Sequence, residues 1–353
     1  MLYKLLVKPA LSLFSPESST GVLLRMLKGV RRLPLVAPLI RAGHRVKDKS
    51  LEKEVFGIRF PAPVGVAAGL DRSGEFADLF SDFGFSFIEI GSLTALPQDG
   101  ESRPRVFTLP RDKALLSRTG NPNKGVQQAI SVLSRRSPRR RSPIRIGVNI
   151  TANARSLTDE SIISDYRTAF AQMYDFADYF VVNLTDTRHP EAGLQADSGL
   201  MADVLDELLE MRLVYDTYKP VLLKISCDLA PDLLDDILDY ALLSGIDGIV
   251  AGGPAGRSAQ LATSPQRLHE IGEGGISGAP AFQGMLETVR HIAARSKGRL
   301  PIVACGGILS PEDAQMALEA GASLVEVYSA IWYKGPKIAK KIHDHILHLH
   351  DRR

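Results

Sequence analysis

One lysine and two asparagines stand near the ends of short apolar runs and have side chains suited to cofactor chemistry. Lys224 lies in the run at residues 221–225, and Asn149 and Asn183 occupy the same place in two other runs. An ammonium group among apolar neighbours attracts an anion, and an asparagine amide both donates and accepts hydrogen bonds. These residues predict a site for a ring that carries negative charge, such as a reduced flavin.

Three further segments offer backbone N–H groups that bulky side chains do not cover. They are Gly275–Gly278, the pair Gly306 and Gly307, and Tyr328 with Ser329. A single glycine pair usually marks a turn that needs a positive φ. Three such segments after late strands predict a phosphate site, because barrels often hold phosphate with backbone amides there.

The elements that must position these residues are short apolar runs that alternate with helical patterns. The runs cover residues 63–68, 87–91, 146–150, 180–184, 221–225, 248–251, 302–304 and 324–327. Each run is apolar on both faces, which is typical of buried parallel strands. The pattern predicts an α/β fold, a (β/α)8 TIM barrel with its site at the carboxyl ends of the strands.

Residues 1–45 form a separate helical module in this prediction, and residues 46–353 form the barrel. A first apolar segment carries Lys4 and Lys8, and a second begins after Ser15 with Pro16 at the first helical position. Apolar helices with cationic edges suit the surface of an anionic membrane, so we expect peripheral contact at the inner face of the cell membrane. The alternative is a helical cap that packs on the barrel. No run reaches the ~18 apolar residues that a membrane span requires.

Composition narrows the class of protein. The chain has 353 residues, 44% of them hydrophobic, which suffices for one large core. Its net charge of +3 gives no reason to expect a nucleic-acid partner. The two cysteines, Cys227 and Cys305, exclude a disulfide framework and a cysteine-based metal site, so we expect no metal and a cytoplasmic location.

Several segments together resemble the quinone-dependent class of dihydroorotate dehydrogenases over nearly the whole chain. They are residues 56–71, 85–92, 103–107, 274–278, 327–329 and 334–336. The resemblance implies FMN as cofactor, dihydroorotate as substrate in pyrimidine biosynthesis, a quinone as acceptor and a monomeric protein. It also implies that residues 1–45 form a quinone passage, with Arg105 near it. The flavin residues implied by the resemblance are Ala67, Ala68, Gly69, Ser92, Asn149, Asn183, Lys224, Ser277, Gly278, Gly306, Gly307, Tyr328 and Ser329.

The substrate half of the site departs from the family pattern. After the fourth strand the family has Asn-Ser-Ser/Cys-Pro-Asn, in which a serine or cysteine is the catalytic base. Here Asp186 stands close to that place and Arg188 near a substrate-binding asparagine. Arg72 replaces a lysine, and Ser117 begins a segment that differs from the family's Asn-Arg-x-Gly-Phe-Asn. Asp186 is the candidate base, because a carboxylate can serve when its environment tunes it. Arg72, Ser117 and Arg188 are candidate substrate contacts.

Three functions remain open on the sequence. The first is a dihydroorotate dehydrogenase with an unusual base. The second is a related FMN oxidoreductase that acts on another small anion, since two arginines and an aspartate could bind one. The third is a flavin-binding protein with little catalysis, in which these charged residues pair with each other. Each lost polar contact to a substrate costs ~1–3 kcal/mol. The altered residues therefore decide which of the three functions the site can support.

Overall fold

A computed structural model describes residues 16–136, 143–185, 197–255 and 261–351 of the chain. Within these ranges eight parallel strands close into a barrel in the order β10-β12-β13-β3-β4-β7-β8-β9. The barrel strands are β3 (Val64–Val66), β4 (Phe87–Leu93), β7 (Arg145–Ile150), β8 (Tyr179–Asn183), β9 (Val221–Ile225), β10 (Gly248–Gly252), β12 (Ile302–Cys305) and β13 (Leu324–Val327). Each of the eight apolar runs overlaps one of these strands, so the predicted (β/α)8 fold is confirmed.

The described helices surround the barrel and precede it. They are α1 (Pro16–Val30), α2 (Val36–His44), α3 (Ala77–Asp82), α4 (Gly125–Ser134), α5 (Asp159–Met173), α6 (Ser198–Arg212), α7 (Pro231–Ser244), α8 (Pro265–Ile271), α9 (Phe282–Ser296), α10 (Pro311–Glu319), α11 (Ser329–Lys334) and α12 (Ile338–His350). Short 3-10 helices cover Lys49–Leu51, Pro110–Asp112, Tyr174–Phe176 and Ala279–Ala281. Local sequence determines where several helices begin. Ser310 and Asp313, for example, form a capping box at the start of α10.

Aromatic side chains fill the amino-terminal end of the barrel. The hairpin of β1 (Lys53–Val55) and β2 (Ile58–Phe60) brings Phe60 within 5.4 Å of Phe87, ring centre to ring centre, in an edge-to-face contact. Gly147 leaves room for Tyr179, because a Cβ there would lie 2.3 Å from the tyrosine ring. The floor is therefore solid, and a ligand can enter only from the opposite end of the strands.

A second small sheet forms one wall at that opposite end. Its strands β5 (Val106–Leu109), β6 (Ala114–Ser117) and β11 (Gly275–Gly278) pair antiparallel in the order β11-β6-β5. Gly275–Gly278, which its glycines would suggest to be a loop, is therefore a strand. Its backbone pairs with β6, with Ser277 opposite Leu115, because β6 presents a free edge there.

The N-terminal helices pack on α3 through a shared carboxylate. Asp82, only 1% exposed, pairs with Arg31 at 2.5 Å and with Arg41 at 3.0 Å. Leu24 of α1 is buried in the main core, which contributes roughly 1.5–3 kcal/mol. α1 covers the second predicted helical segment, whereas α2 was not predicted. The first apolar segment, with Lys4 and Lys8, lies outside the described residues.

Candidate active site

The carboxyl ends of the barrel strands surround one deep cavity. It is lined by most of the residues that the sequence implied for a flavin: Ala67, Ala68, Gly69, Ser92, Asn183, Lys224, Ser277, Gly278, Gly306, Gly307, Tyr328 and Ser329. They come from six of the barrel's strand ends and from β11, far apart in sequence. Asn149 alone of the implied set does not line the cavity. It lies below, where its Nδ2 donates to Glu89 Oε2 at 3.2 Å.

The cavity walls combine small residues with a few fixed polar groups. Asn183 Nδ2 donates to Ser92 Oγ at 3.0 Å, and its Oδ1 accepts from the backbone N–H of Thr185 at 3.1 Å. Ser329 Oγ donates to Ser277 Oγ at 3.1 Å. These bonds hold the polar side chains in single orientations before any ligand arrives, which reduces the entropy cost of binding.

Glycine is required at two points of this rim for different reasons. Gly307 has φ +69°, and a Cβ there would lie 2.4 Å from the backbone nitrogen of Phe282. At Gly253, by contrast, a Cβ would meet no described atom within 4 Å, and it is the backbone φ of +153° that favours glycine. Bare backbone, small side chains and one ammonium fit a planar ring with a phosphate tail.

Lys224 has a carboxylate partner that the sequence did not reveal. Its Nζ lies 3.5 Å from Glu89 Oε2, and the side chains are 8% and 0% exposed. Burial would lower the pKa of Lys224, but the carboxylate of Glu89 raises it above its ordinary value. The ammonium is therefore a permanent positive charge at the cavity floor. In the sequence, Glu89 stands out only as the single charged residue in the otherwise apolar run of β4.

A second cavity, of about 620 Å³, lies between α1 and the barrel rim. Its lining combines apolar residues, among them Leu24 and Trp332, with charged residues such as Arg25 and Glu75. Gly69 and Tyr328 line both cavities, so the two share a wall. An apolar ligand in one cavity can thus approach a ring held in the other.

Glu17 of α1 lies within ion-pair distance of three arginines at the edge of the second cavity. Arg105, 4% exposed, donates to both oxygens of Glu17 at 2.6 and 2.9 Å. Arg72 and Arg103 lie 3.4 and 3.7 Å away. Burial would raise the pKa of Glu17, but the arginines, Arg105 above all, hold it below its ordinary value. Glu17 lines the cavity while Arg105 lies outside its lining. Sequence reasoning missed this partner because it is 88 residues from Arg105.

The predicted substrate contacts have different outcomes. Ser117 and Arg72 both line the first cavity, together with Thr119, Asn121 and Thr185. Arg72 also forms an ion pair with Glu17. Asp186, the candidate base, and Arg188 lie outside the described residues.

Fold and site together define a closed α/β barrel with one cavity at its strand ends and a second cavity beside it. A sequence model described as dihydroorotate dehydrogenase matches residues 50–349. The chain belongs to the dihydroorotate dehydrogenase family. Within the described ranges no helix has the length and hydrophobicity that crossing a bilayer requires.

Two relatives and two solved structures show how far the similarity extends. A "Dihydroorotate dehydrogenase (quinone)" of Christiangramia forsetii is 34% identical over 346 residues, 98% of this chain and 99% of that one. One of Sphingopyxis alaskensis, with the same description, is 39% identical over 313 residues, 88% and 85% of the two chains. The structure of DHODH from Eimeria tenella in complex with ferulenol has a TM-score of 0.81 at 26% identity, covering 96% of this chain and 92% of that one. The ligand-free DHODH of that organism has a TM-score of 0.82, also at 26% identity, covering 94% of each chain.

Proposed function

We propose that the chain is an FMN-dependent dihydroorotate dehydrogenase that oxidises dihydroorotate to orotate in pyrimidine biosynthesis and passes the electrons to a quinone. The observation that carries this proposal is the wall that the two cavities share at Gly69 and Tyr328. A cavity for a flavin next to a cavity for a quinone lets one ring exchange electrons with two partners in turn. The relatives described as quinone enzymes support the choice of acceptor.

The residues around the first cavity would bind and orient the cofactor. FMN, when bound, supplies the redox chemistry by accepting an electron pair from the substrate and releasing it to the acceptor. Lys224 presents positive charge where negative charge would develop on the ring. Ala67 and Ala68 leave space for a flat ring, and the backbone around Gly307 and Ser329 suits its phosphate. Asp186 remains the proposed base for the substrate proton.

A second candidate is a related oxidoreductase that acts on another small anion, and the described substrate half of the cavity favours it. That half presents the hydroxyls of Ser117, Thr119 and Thr185, and Pro254 brings no side-chain donor. If no substrate reduces the bound FMN, the chain is a flavin-binding protein with little catalysis.

Anaerobic reduction separates these candidates. Mixing the FMN-loaded protein with dihydroorotate should bleach the flavin absorption, and a short-chain quinone should then restore it. The variant Asp186→Asn should bind FMN normally and bleach at least ~100-fold more slowly, the usual effect of removing a general base. A flavin that stays oxidised at millimolar dihydroorotate would exclude the first candidate, and reduction by another small anion would establish the second.

We also propose that residues 1–45 form a module that lies on the inner face of the cell membrane and admits the quinone. α1, α2 and the turn between them expose Val22, Met26, Leu35 and Leu39, between 51% and 73% of each residue's surface. Arg25 lies on the same helix as the first two, so an apolar surface meets a cationic edge. This combination suits a surface of anionic lipids.

Sedimentation with anionic lipid vesicles tests the membrane proposal. The double variant Met26→Ser with Leu39→Ser should bind the vesicles at least ~10-fold more weakly, because each apolar side chain adds over 1 kcal/mol when buried. Leu243→Ser is the matched control, since Leu243 is 88% exposed on α7 of the barrel. Equal binding of all three proteins would instead support a structural cap, as would loss of FMN and unfolding on deletion of residues 1–45.

A further inference from the structure

Two glutamates and one lysine meet inside the barrel, directly below the first cavity. Glu89 on β4 and Glu326 on β13 are 0% and 1% exposed, and Lys224 is the cation beside them. Glu326 is level with Gly65 on β3, the strand between β13 and β4. The charge of Glu89 acts on Glu326, so the two carboxyl groups lie close to each other across that strand. Glu326 and Lys224 also line the cavity floor.

The hydrogen bonds around the two carboxyl groups are incomplete. Glu89 Oε2 accepts from Asn149 Nδ2 and faces the ammonium of Lys224. Glu89 Oε1 and both oxygens of Glu326 have no complete hydrogen bond from any donor in the described ranges. Cys305 lies level with Glu326 on the neighbouring strand, and its thiol is a weak donor. Two ionised carboxylates facing each other here would leave one negative charge buried without a partner.

Charge balance shows which group must be neutral. Burying an unpaired charge is so costly that the group normally takes or loses a proton instead. Two carboxyl groups that share a site hold one proton between them for the same reason. Burial and then the negative charge of Glu89 raise the pKa of Glu326 well above its ordinary value, against the opposing effect of Lys224. Burial likewise raises the pKa of the Cys305 thiol well above its usual range, which keeps it uncharged.

We propose that Glu326 is a neutral carboxylic acid that donates its proton to Glu89, so that one carboxylate, one ammonium and one shared proton form a neutral floor beneath the cavity. Glu89 is then the single counterion of Lys224, and the ammonium keeps its direction towards the ligand. Glu326 is a positioning residue that acts through Glu89 and Lys224. The consequence for the flavin rests on the proposed function, whereas the shared proton does not.

Infrared spectroscopy of the protein without FMN detects the proton directly. A protonated carboxyl group gives a carbonyl band that ionised glutamates lack, and selective ¹³C labelling of glutamate carboxyls shifts only glutamate bands. The wild-type protein should show such a band at neutral pH. Glu326→Gln should abolish it and retain the fold, because glutamine has the shape and charge of the protonated acid. Glu89→Gln should abolish it too, since Glu326 then ionises as the counterion of Lys224.

The control variant is Glu54→Gln, which removes an exposed carboxylate on β1 and should leave the band unchanged. Absence of a glutamate carboxylic acid band in the wild-type protein would overturn the proposal, even if a variant failed to fold. Persistence of the band in Glu326→Gln would overturn it as well.

The bound flavin gives a second readout. Glu326→Gln should change the FMN dissociation constant by less than about threefold and leave the flavin midpoint potential in place, because no charge is removed. If Glu326 were ionised, the same change would delete a negative charge and make the flavin easier to reduce. A protein that binds no FMN would refute the proposed function, yet its infrared band would still decide whether Glu326 carries the proton.

Discussion

Replacing Lys224 with methionine tests how the charges at the barrel floor are balanced. Methionine keeps the length and most of the volume of lysine but removes the ammonium, which lies 3.5 Å from Glu89 Oε2. Glu89 is 0% exposed, so water cannot take over as its partner. Breaking a buried ion pair by removing one partner costs about 3–5 kcal/mol, because the other charge stays buried without compensation. We expect a loss of that size in the free energy of unfolding.

Urea unfolding of the FMN-free protein measures this loss. The double variant Lys224→Met with Glu89→Gln should recover most of the lost stability, because it removes the stranded charge as well. A loss below ~1 kcal/mol, or a double variant no more stable than the single one, would refute this reasoning about the buried pair.

The same variant reports on the ligand. Without the ammonium, FMN should bind at least ~10-fold more weakly, since a charge-assisted contact contributes about 1.5–3 kcal/mol. Quenching of FMN fluorescence on titration gives the dissociation constant. Undiminished FMN binding by Lys224→Met would mean that the ring does not lie against this residue.

Three further predictions concern other parts of the chain. Glu17→Gln should lower stability by about 2 kcal/mol and speed proteolysis within α1, because its arginines lose their shared counterion; unchanged proteolysis would contradict this. Gly307→Ala should abolish FMN binding, since its Cβ would meet the backbone nitrogen of Phe282 at 2.4 Å. Gly298→Ala, with φ +75° and open space around it, should cost only ~1–2 kcal/mol and keep FMN; equal FMN binding by both would refute the steric argument. His343 is buried, which lowers its pKa to about 4. Because the unfolded chain binds this proton first, folding stability falls by about 2 kcal/mol from pH 7 to pH 5. His343→Leu should lack that part of the decline in urea unfolding, and an unchanged pH dependence would contradict it.

The barrel could be predicted from the sequence because every strand is buried on both faces. Such strands appear as uninterrupted apolar runs, and β9 and β13 coincide with their predicted ranges. The residues around the cavity could be predicted too, because barrel sites lie at the carboxyl ends of the strands. The wall of the cavity did not follow, because β11 is held by pairing with β6, about 160 residues earlier in the chain.

Partners of charged residues were the other feature that sequence could not supply. Glu89 and Glu326 each stand in an apolar run, which marks them as unusual but does not say that they face each other. Their proximity depends on barrel closure, which places β13 and β4 on either side of β3. Glu17 likewise meets Arg105 only when α1 packs against the rim. Three-dimensional packing, and not local pattern, decides which charges pair.

The absorption spectrum of the purified full-length protein, before and after titration with FMN, tests the central claim most directly. The strand ends around Lys224 should hold one flavin per chain, giving a yellow protein whose flavin stays bound through gel filtration. A colourless protein that takes up no added FMN would contradict the account of the cavity and of the proposed reaction.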